Sequence, residues 1–276
     1  MGTDLDQFSF FFLRFTGLPV FLEMHGVKKD SIFLRSFLRS ACGIIGINQR
    51  IKNYLTETYG VTDGRILVEP NGIDLDYFTL SLSPIEARKK LHIEEYARII
   101  LYAGKFYDWK GIEVLIPAAR MLEKDIRILL VGGSKEELEN ILGGVELPSN
   151  IICVGHRPYK EIPLWLAAAD ALLLLGTKKN DYSYTQTSPM KLFEYMASRR
   201  PILASDTPAI REIVSDDETY MYEPDNGMDL GNKINGILED KNANSRIARA
   251  YEKVKHYTWE KRSLRIIEFI HACQKG

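Results

Sequence analysis

Cysteine is scarce in this 276-residue chain, and its three thiols, Cys42, Cys153 and Cys273, lie far apart with no Cys-x-x-Cys pair and no Cys/His cluster. That spacing argues against a zinc ribbon or a disulfide scaffold, and the apolar segments around each thiol predict buried, free cysteines in a reducing compartment. An excess of charge of one sign is missing too, because 36 Lys and Arg stand against 37 Asp and Glu. No long-range field therefore draws the chain to nucleic acid or to an anionic membrane, and any basic site must be local. Long apolar runs are also absent, none approaching the roughly 18 to 20 residues that span a bilayer. The opening "MGTDLDQFSFFFLRF" carries no basic stretch and no small-residue cleavage pattern, so no secretory leader is expected and the location reads as cytoplasmic. Phe10 to Phe12 and "SIFLRSFLRSA" (31–41), with Arg35 and Arg39 beside aromatics, fit either core or a basic amphipathic patch that touches the inner face of a membrane.

What is present is a chain able to build a real core. Hydrophobic residues make up 45% and charged residues 26%, and the length suits one large or two modest domains. From residue 97 onward apolar strands alternate with amphipathic helices: "RIILYAG" (98–104), "IRILLVGG" (126–133), "NIICVG" (150–155), "DALLLLG" (170–176), "RPILASD" (200–206) and "TYMYEP" (219–224) read as strands. Between them lie helical patterns such as "SKEELENIL", where Ser134 and Glu137 have the spacing of a capping box. Strands this uniformly apolar are covered on both faces, which predicts an α/β domain with a parallel, Rossmann-like sheet over 81–256. The first 80 residues repeat the rhythm with three strands, at 18–26, 43–48 and 65–70, which is about half of such a domain. The C-terminal helix, 257–276, is expected to complete it, and the polar "NGIDLDYFTLSLSP" (71–84) reads as the linker.

In open α/β sheets ligands bind beyond the carboxyl ends of the strands, where helix N-termini favour anions. In "GKFYDWKG" that edge carries Gly104, Lys105 and Lys110, two ammonium groups that suit a diphosphate or, alternatively, remain solvated surface lysines. "TSPMKLFEYMASRRPILASD" (187–206) then poses a puzzle. Its helix must bury Met190, Phe193 and Met196 yet carries Lys191 and Glu194 in its first two turns. Ser188 suits the cap and Pro189 the first position, which aims Lys191 and the free N–H groups at the same cleft. Glu194 can accept hydrogen bonds from two neighbouring hydroxyls, as on a ribose. The competing reading is an i,i+3 surface pair worth about 0.2–0.5 kcal/mol. Gly132 and Gly133 read as turn glycines, since the spacing is not Gly-x-Gly-x-x-Gly.

"GKFYDWKG", "SPMKLFEYMASRRPILASD", "PNGID" and "YTWEKR" resemble the signature segments of family 4 glycosyltransferases, retaining enzymes of the GT-B fold. The resemblance runs from about "LPVFLEMHG" to the C-terminus. It implies a GT-B-like fold, with one complete Rossmann-like domain binding a UDP- or GDP-sugar donor, a partial N-terminal domain facing a glycan or lipid-linked acceptor, and neither a bound metal nor a cofactor. The Asp74 and Asp76 pair that mimics a metal motif falls in the linker. The resemblance places Lys105 and Lys110 at the leaving diphosphate, Lys105 standing where relatives usually have Arg, and Glu194 at the ribose. His25 falls near the donor sugar, and Gln186 stands where the first Glu of a Glu-x7-Glu motif is expected. Gln keeps an acceptor oxygen but removes a charge, which implies a different sugar choice or weaker activity. "VGHRPYK" borders the nucleobase in the resemblance, with His156 or Arg157 near the ring, and an ordinary βα turn is the alternative. Closure of the two domains would bring His25 toward the donor. The short first domain is expected to be completed by a partner chain, or else marks a fragment. Two other activities fit the same residues, a non-catalytic nucleotide-sugar-binding subunit and a sugar-nucleotide epimerase.

Overall fold

The computed structural model describes residues 2–3, 15, 17–188 and 190–275. They group into two units, Met1–Gly72 with Thr185–Ser188 and Tyr257–Gly276, and Ile73–Tyr184 with Pro189–His256. In the first unit four parallel strands run in the order β1 (Gly2–Thr3), β2 (Phe21–Met24), β3 (Gly43–Gly46) and β4 (Ile66–Val68). Side-chain caps start its helices: Ser31 accepts the Leu34 N–H ahead of α1 (Ile32–Ser40), and Asn48 accepts the Ile51 N–H ahead of α2 (Gln49–Tyr59). Leu34, Phe37, Leu38, Ile51 and Leu55 form one core with Leu22, Met24 and Ile44. The C-terminal helix, Trp259–Lys275, lays Phe269 edge-on against Phe21, with ring centroids 6.3 Å apart.

The second unit begins with α3 (Leu75–Phe78), inside the stretch that reads as a linker, and α4 (Pro84–Leu91) starts at the last residue of that stretch. The difference has a local cause. Asp74 caps α3 by accepting the Tyr77 N–H at 3.2 Å, and Ser83 with Glu86 closes a capping box on α4. The strands β5 (Arg98–Ala103), β6 (Ile126–Val131), β7 (Ile151–Gly155), β8 (Ala171–Leu174), β9 (Ile202–Ser205) and β10 (Tyr220–Tyr222) form one parallel sheet in the order β10-β9-β8-β5-β6-β7. That is the doubly wound Rossmann-like order, and the sequence direction reverses between β5 and β8. Crossover helices join the strands, α5 (Leu115–Met121), α6 (Lys135–Ile141), α7 (Ile162–Ala167), α8 (Met190–Ala197) and α9 (Pro208–Arg211), and α10 (Gly227–Glu239) and α11 (Ala243–Val254) follow the last strand.

Ser134 and Glu137 close the capping box of α6 as the spacing predicts. The helical pattern at 111–122 splits instead, because Gly111 turns the chain at φ 73° and a 3₁₀ turn, Ile112–Val114, precedes α5. The three free cysteines are half-buried rather than buried. Among the described residues no helix is long and apolar enough to cross a membrane. Phe10 to Phe12 lie outside the described residues.

Candidate functional site

The switch point between β5 and β8 is where such a sheet opens a crevice for a ligand, and the chain builds that mouth from bare backbone. Gly132, just after β6, has φ 123°, and a Cβ there would lie 2.6 Å from the carbonyl oxygen of Gly104, just after β5. A Cβ at Gly104 would in turn overlap the ammonium of Lys191. Both glycines are thus steric requirements of a close approach.

What brings Lys191 there is its neighbour one turn on. Tyr195 is fully buried, and its hydroxyl accepts the Ala103 N–H at 2.9 Å, which pins α8 to the end of β5. Residues four apart share a helix face, so Lys191 is carried to the mouth, with its Nζ 5.3 Å from the centroid of the Tyr102 ring. Glu194, on the same helix, is only 8% exposed. The polar residues at the start of α8 therefore face inward, and Met190, expected in the core, is 43% exposed.

Lys110 comes in on the 3₁₀ turn Asp108–Lys110 and sets its Nζ 4.2 Å from the centroid of the Trp109 indole. Tyr107 stacks on that indole at 5.3 Å, and Tyr182 meets it edge-on at 5.4 Å. Burial pushes the Lys110 ammonium down to about 8, helped by the positive charge of Lys191. The Lys191 ammonium is lowered by burial too, against the pull of Glu194. Glu194 is raised by burial, against Lys191 and a hydrogen bond from Tyr159. In the loop after β8, Lys179 pairs with Glu113 at 2.8 Å and Lys178 with Glu223 at 3.7 Å. Among the described residues no carboxylate lies within ion-pair distance of Lys110 or Lys191. Half-buried ammonium groups that repel one another are costly unless an anion joins them.

The other residues singled out by sequence are placed variously. Lys105 is exposed, and its charge adds slightly to the Ser134 N–H and His156 hydrogen bonds that hold the Glu137 carboxyl low. His156 pairs with the same Glu137 at 3.2 Å, and Arg157 donates to the Val154 carbonyl while lying 5.5 Å from the Trp165 ring centroid. The residue of that loop which does reach Glu194 is Tyr159, donating to Oε1 at 3.4 Å. Its signal in the sequence was an aromatic two positions past Arg157. Pro189 lies outside the described residues. The Ser188 hydroxyl accepts the Asn71 N–H at 3.4 Å within the first unit.

That unit gathers a second polar group. His25 Nε2 lies 3.1 Å from Oε1 of the buried Glu23, and Arg262 of the C-terminal helix donates to the same oxygen at 2.6 Å. The hydrogen bond from His25 holds the Glu23 carboxyl low against burial, and Arg262 adds to it. Gln186 accepts the Val27 N–H on its side-chain oxygen at 3.1 Å, and the Asn48 side-chain amide donates to its backbone carbonyl. Nothing in the sequence ties Arg262 to Glu23, 239 residues away.

Residues 84–254 match the family model described as glycosyl transferases, group 1. The chain belongs to that family. This group 1 family member is 24% identical over 230 residues to a D-inositol 3-phosphate glycosyltransferase of Xylanimonas cellulosilytica, covering 78% of the chain and 53% of the relative. It is 27% identical over 211 residues to a lipopolysaccharide 1,2-N-acetylglucosaminetransferase of Salmonella typhimurium, covering 71% and 53%. The chain thus spans about half the length of these curated relatives. Among solved structures it is similar to a glycosyltransferase from Rickettsia africae, with a TM-score of 0.80 at 19% identity over 97% of this chain and 74% of that one. It is also similar to Anabaena HepE in complex with UDP-glucose, with a TM-score of 0.75 at 20% identity over 98% and 78%. The family member accordingly has the α/β, GT-B-like architecture.

Proposed function

We propose that this chain binds a nucleoside diphosphate sugar in its second unit and transfers the sugar, with retention of the anomeric configuration, to a glycan or lipid-linked acceptor. The observation that carries the reading is the pair Lys110 and Lys191, two ammonium groups in each other's field at the switch point, neither in an ion pair with a carboxylate among the described residues. A diphosphate supplies the missing negative charge, and its charge grows as the bond to the sugar breaks, so these groups and Lys105 stabilise the departing nucleotide. Glu194 then takes the ribose diol. His25, with its ring held through Glu23 by Arg262, is assigned its part in the transfer on family resemblance. HepE has been seen with UDP and with UDP-glucose, which makes UDP the first nucleotide to try and GDP the second. No metal is expected in the reaction.

The test is thermal stabilisation of the 276-residue chain by UDP and by GDP, followed by product analysis with sugar nucleotides. A ligand at 100 times its dissociation constant adds about 2.7 kcal/mol. Binding should also carry the signature of Lys110. Above about pH 8 that group is neutral in the folded protein while still charged in the unfolded chain, whose lysines titrate near about 10.4. The unfolded state then holds more protons, so this group's contribution to stability rises with pH across that window. Diphosphate affinity has the opposite slope, since binding needs the ammonium, and it should fall about 25-fold between roughly pH 7.5 and 9.5. Calorimetric titrations across that range check it. Failure of both nucleotides to bind at any pH would end the reading.

A further inference from the structure

Tyr159 has a geometry that the diphosphate site does not explain. It opens the 3₁₀ turn Tyr159–Glu161 just after β7, and 58% of it is exposed. An exposed phenol normally swings freely, yet this one is fixed on two sides. One ring face stacks on Tyr77, with centroids 5.6 Å apart and planes 11° apart, and Phe78 meets it edge-on at 5.7 Å. The fixed ring aims its hydroxyl at Oε1 of the buried Glu194, 3.4 Å away. Burial and the neighbouring carboxylate push the phenol up to about 12, so it keeps its proton at neutral pH and can both donate and accept.

Resting on the reading of Glu194 as the ribose-diol acceptor, we infer that Tyr159 is a specificity-determining residue which, with Glu194, reads the two ribose hydroxyls of the donor and rejects nucleotides that lack one of them. A carboxylate alone accepts from whichever hydroxyl is present and tolerates the loss of the other. A hydroxyl held beside it by stacked rings adds a second polar group that must be satisfied once the ligand excludes water. A deoxy ligand leaves that phenol facing a bare carbon. Unpaired polar groups in a closed site are what gives strong rejection of an analogue missing a hydroxyl. The contact at 3.4 Å is long for an O–H···O bond, so exchanging it for a sugar hydroxyl sacrifices little.

The experiment compares parent and Tyr159→Phe by calorimetry against UDP and GDP with their 2′-deoxy and 3′-deoxy counterparts. Phenylalanine keeps the stack on Tyr77, so folding is preserved, and melting temperature checks that. The parent should bind the ribonucleotide more tightly than both deoxy analogues. Tyr159→Phe should bind the ribonucleotide about tenfold more weakly, the loss of one hydrogen bond to a site with a charged partner. It should bind one of the two deoxy analogues as the parent does, so that one selectivity ratio collapses. If both ratios survive in Tyr159→Phe, Tyr159 is a brace for the loop and the assignment fails while the donor reading stands. If the parent binds no nucleotide at all, the donor reading falls and takes this inference with it. A parent that binds ribo and deoxy forms equally overturns the inference alone.

Discussion

Lys191→Met should weaken nucleoside diphosphate binding about a hundredfold, which corresponds to about 2.7 kcal/mol. Methionine fills much of the same volume over Gly104 and Tyr102 and leaves the anchor of α8, the Tyr195 hydroxyl on Ala103, in place. The loss is therefore that of a half-buried ammonium at an anion, where charge-assisted hydrogen bonds are worth about 1.5–3 kcal/mol each. A second effect separates a direct role from a general loosening of the mouth. Part of what lowers Lys110 is the charge of Lys191, so in Lys191→Met the alkaline limb of binding should move to higher pH, while burial keeps it below the ordinary lysine range. Titrations of UDP or GDP between roughly pH 7 and 10 measure both changes. An unchanged affinity would remove Lys191 from the site, and a loss of affinity with the limb unmoved would mean that the two ammonium groups do not share a ligand. Lys105 is exposed, and under its proposed role, stabilising charge that develops during bond breaking, its substitution should cost turnover more than affinity.

The second unit's fold could be read from the sequence for a physical reason. Strands such as "RIILYAG" and "DALLLLG" are apolar on both faces because helices cover both faces, so their pattern survives without alternation, and the Ser134 and Glu137 box marks a helix start by a rule that acts over three residues. Local rules also single out the loops that follow strands, where an open α/β sheet admits a ligand. They could not say which lysine partners Lys110. Lys105 is close to it in sequence, but Lys191 is delivered by a hydrogen bond between Ala103 and Tyr195, residues 92 apart. Likewise the burial of Glu194 and its contact with Tyr159 depend on α8 meeting the loop after β7, and the Glu23 and Arg262 pair depends on the C-terminal helix returning to the first sheet. A pattern with period 3.6 reports which residues face the core; it carries no record of which polar group waits there.

The same blindness hid the charge whose removal should do most damage to the fold. Arg88 opens a run of three basic residues in "SPIEARKKL" and is only 4% exposed, because α4 turns it toward the sheet. Its guanidinium donates to the carbonyls of Ala168, Glu95 and Ala97 at 2.8–2.9 Å and to the Asp170 carboxylate at 2.6 Å. Asp170 in turn accepts the Ile99 N–H at 2.7 Å, at the start of β5. One side chain thus satisfies the end of α7, the turn after α4 and the entry to the central strand. Arg88→Met fills similar space but leaves three carbonyls without this donor and strands a carboxylate beside Arg200, so it should cost about 3–5 kcal/mol, the range for breaking a buried pair by removing one partner. The double variant Arg88→Met with Asp170→Asn should recover part of that loss, because the charge left with only the field of Arg200 is gone while an acceptor for Ile99 remains. Denaturant unfolding measures the totals, and hydrogen exchange at the Ile99 amide localises them to the second unit. A cost below about 1 kcal/mol would mean that Arg88 behaves as an exposed ion pair, and that the carbonyls it bridges find water without it.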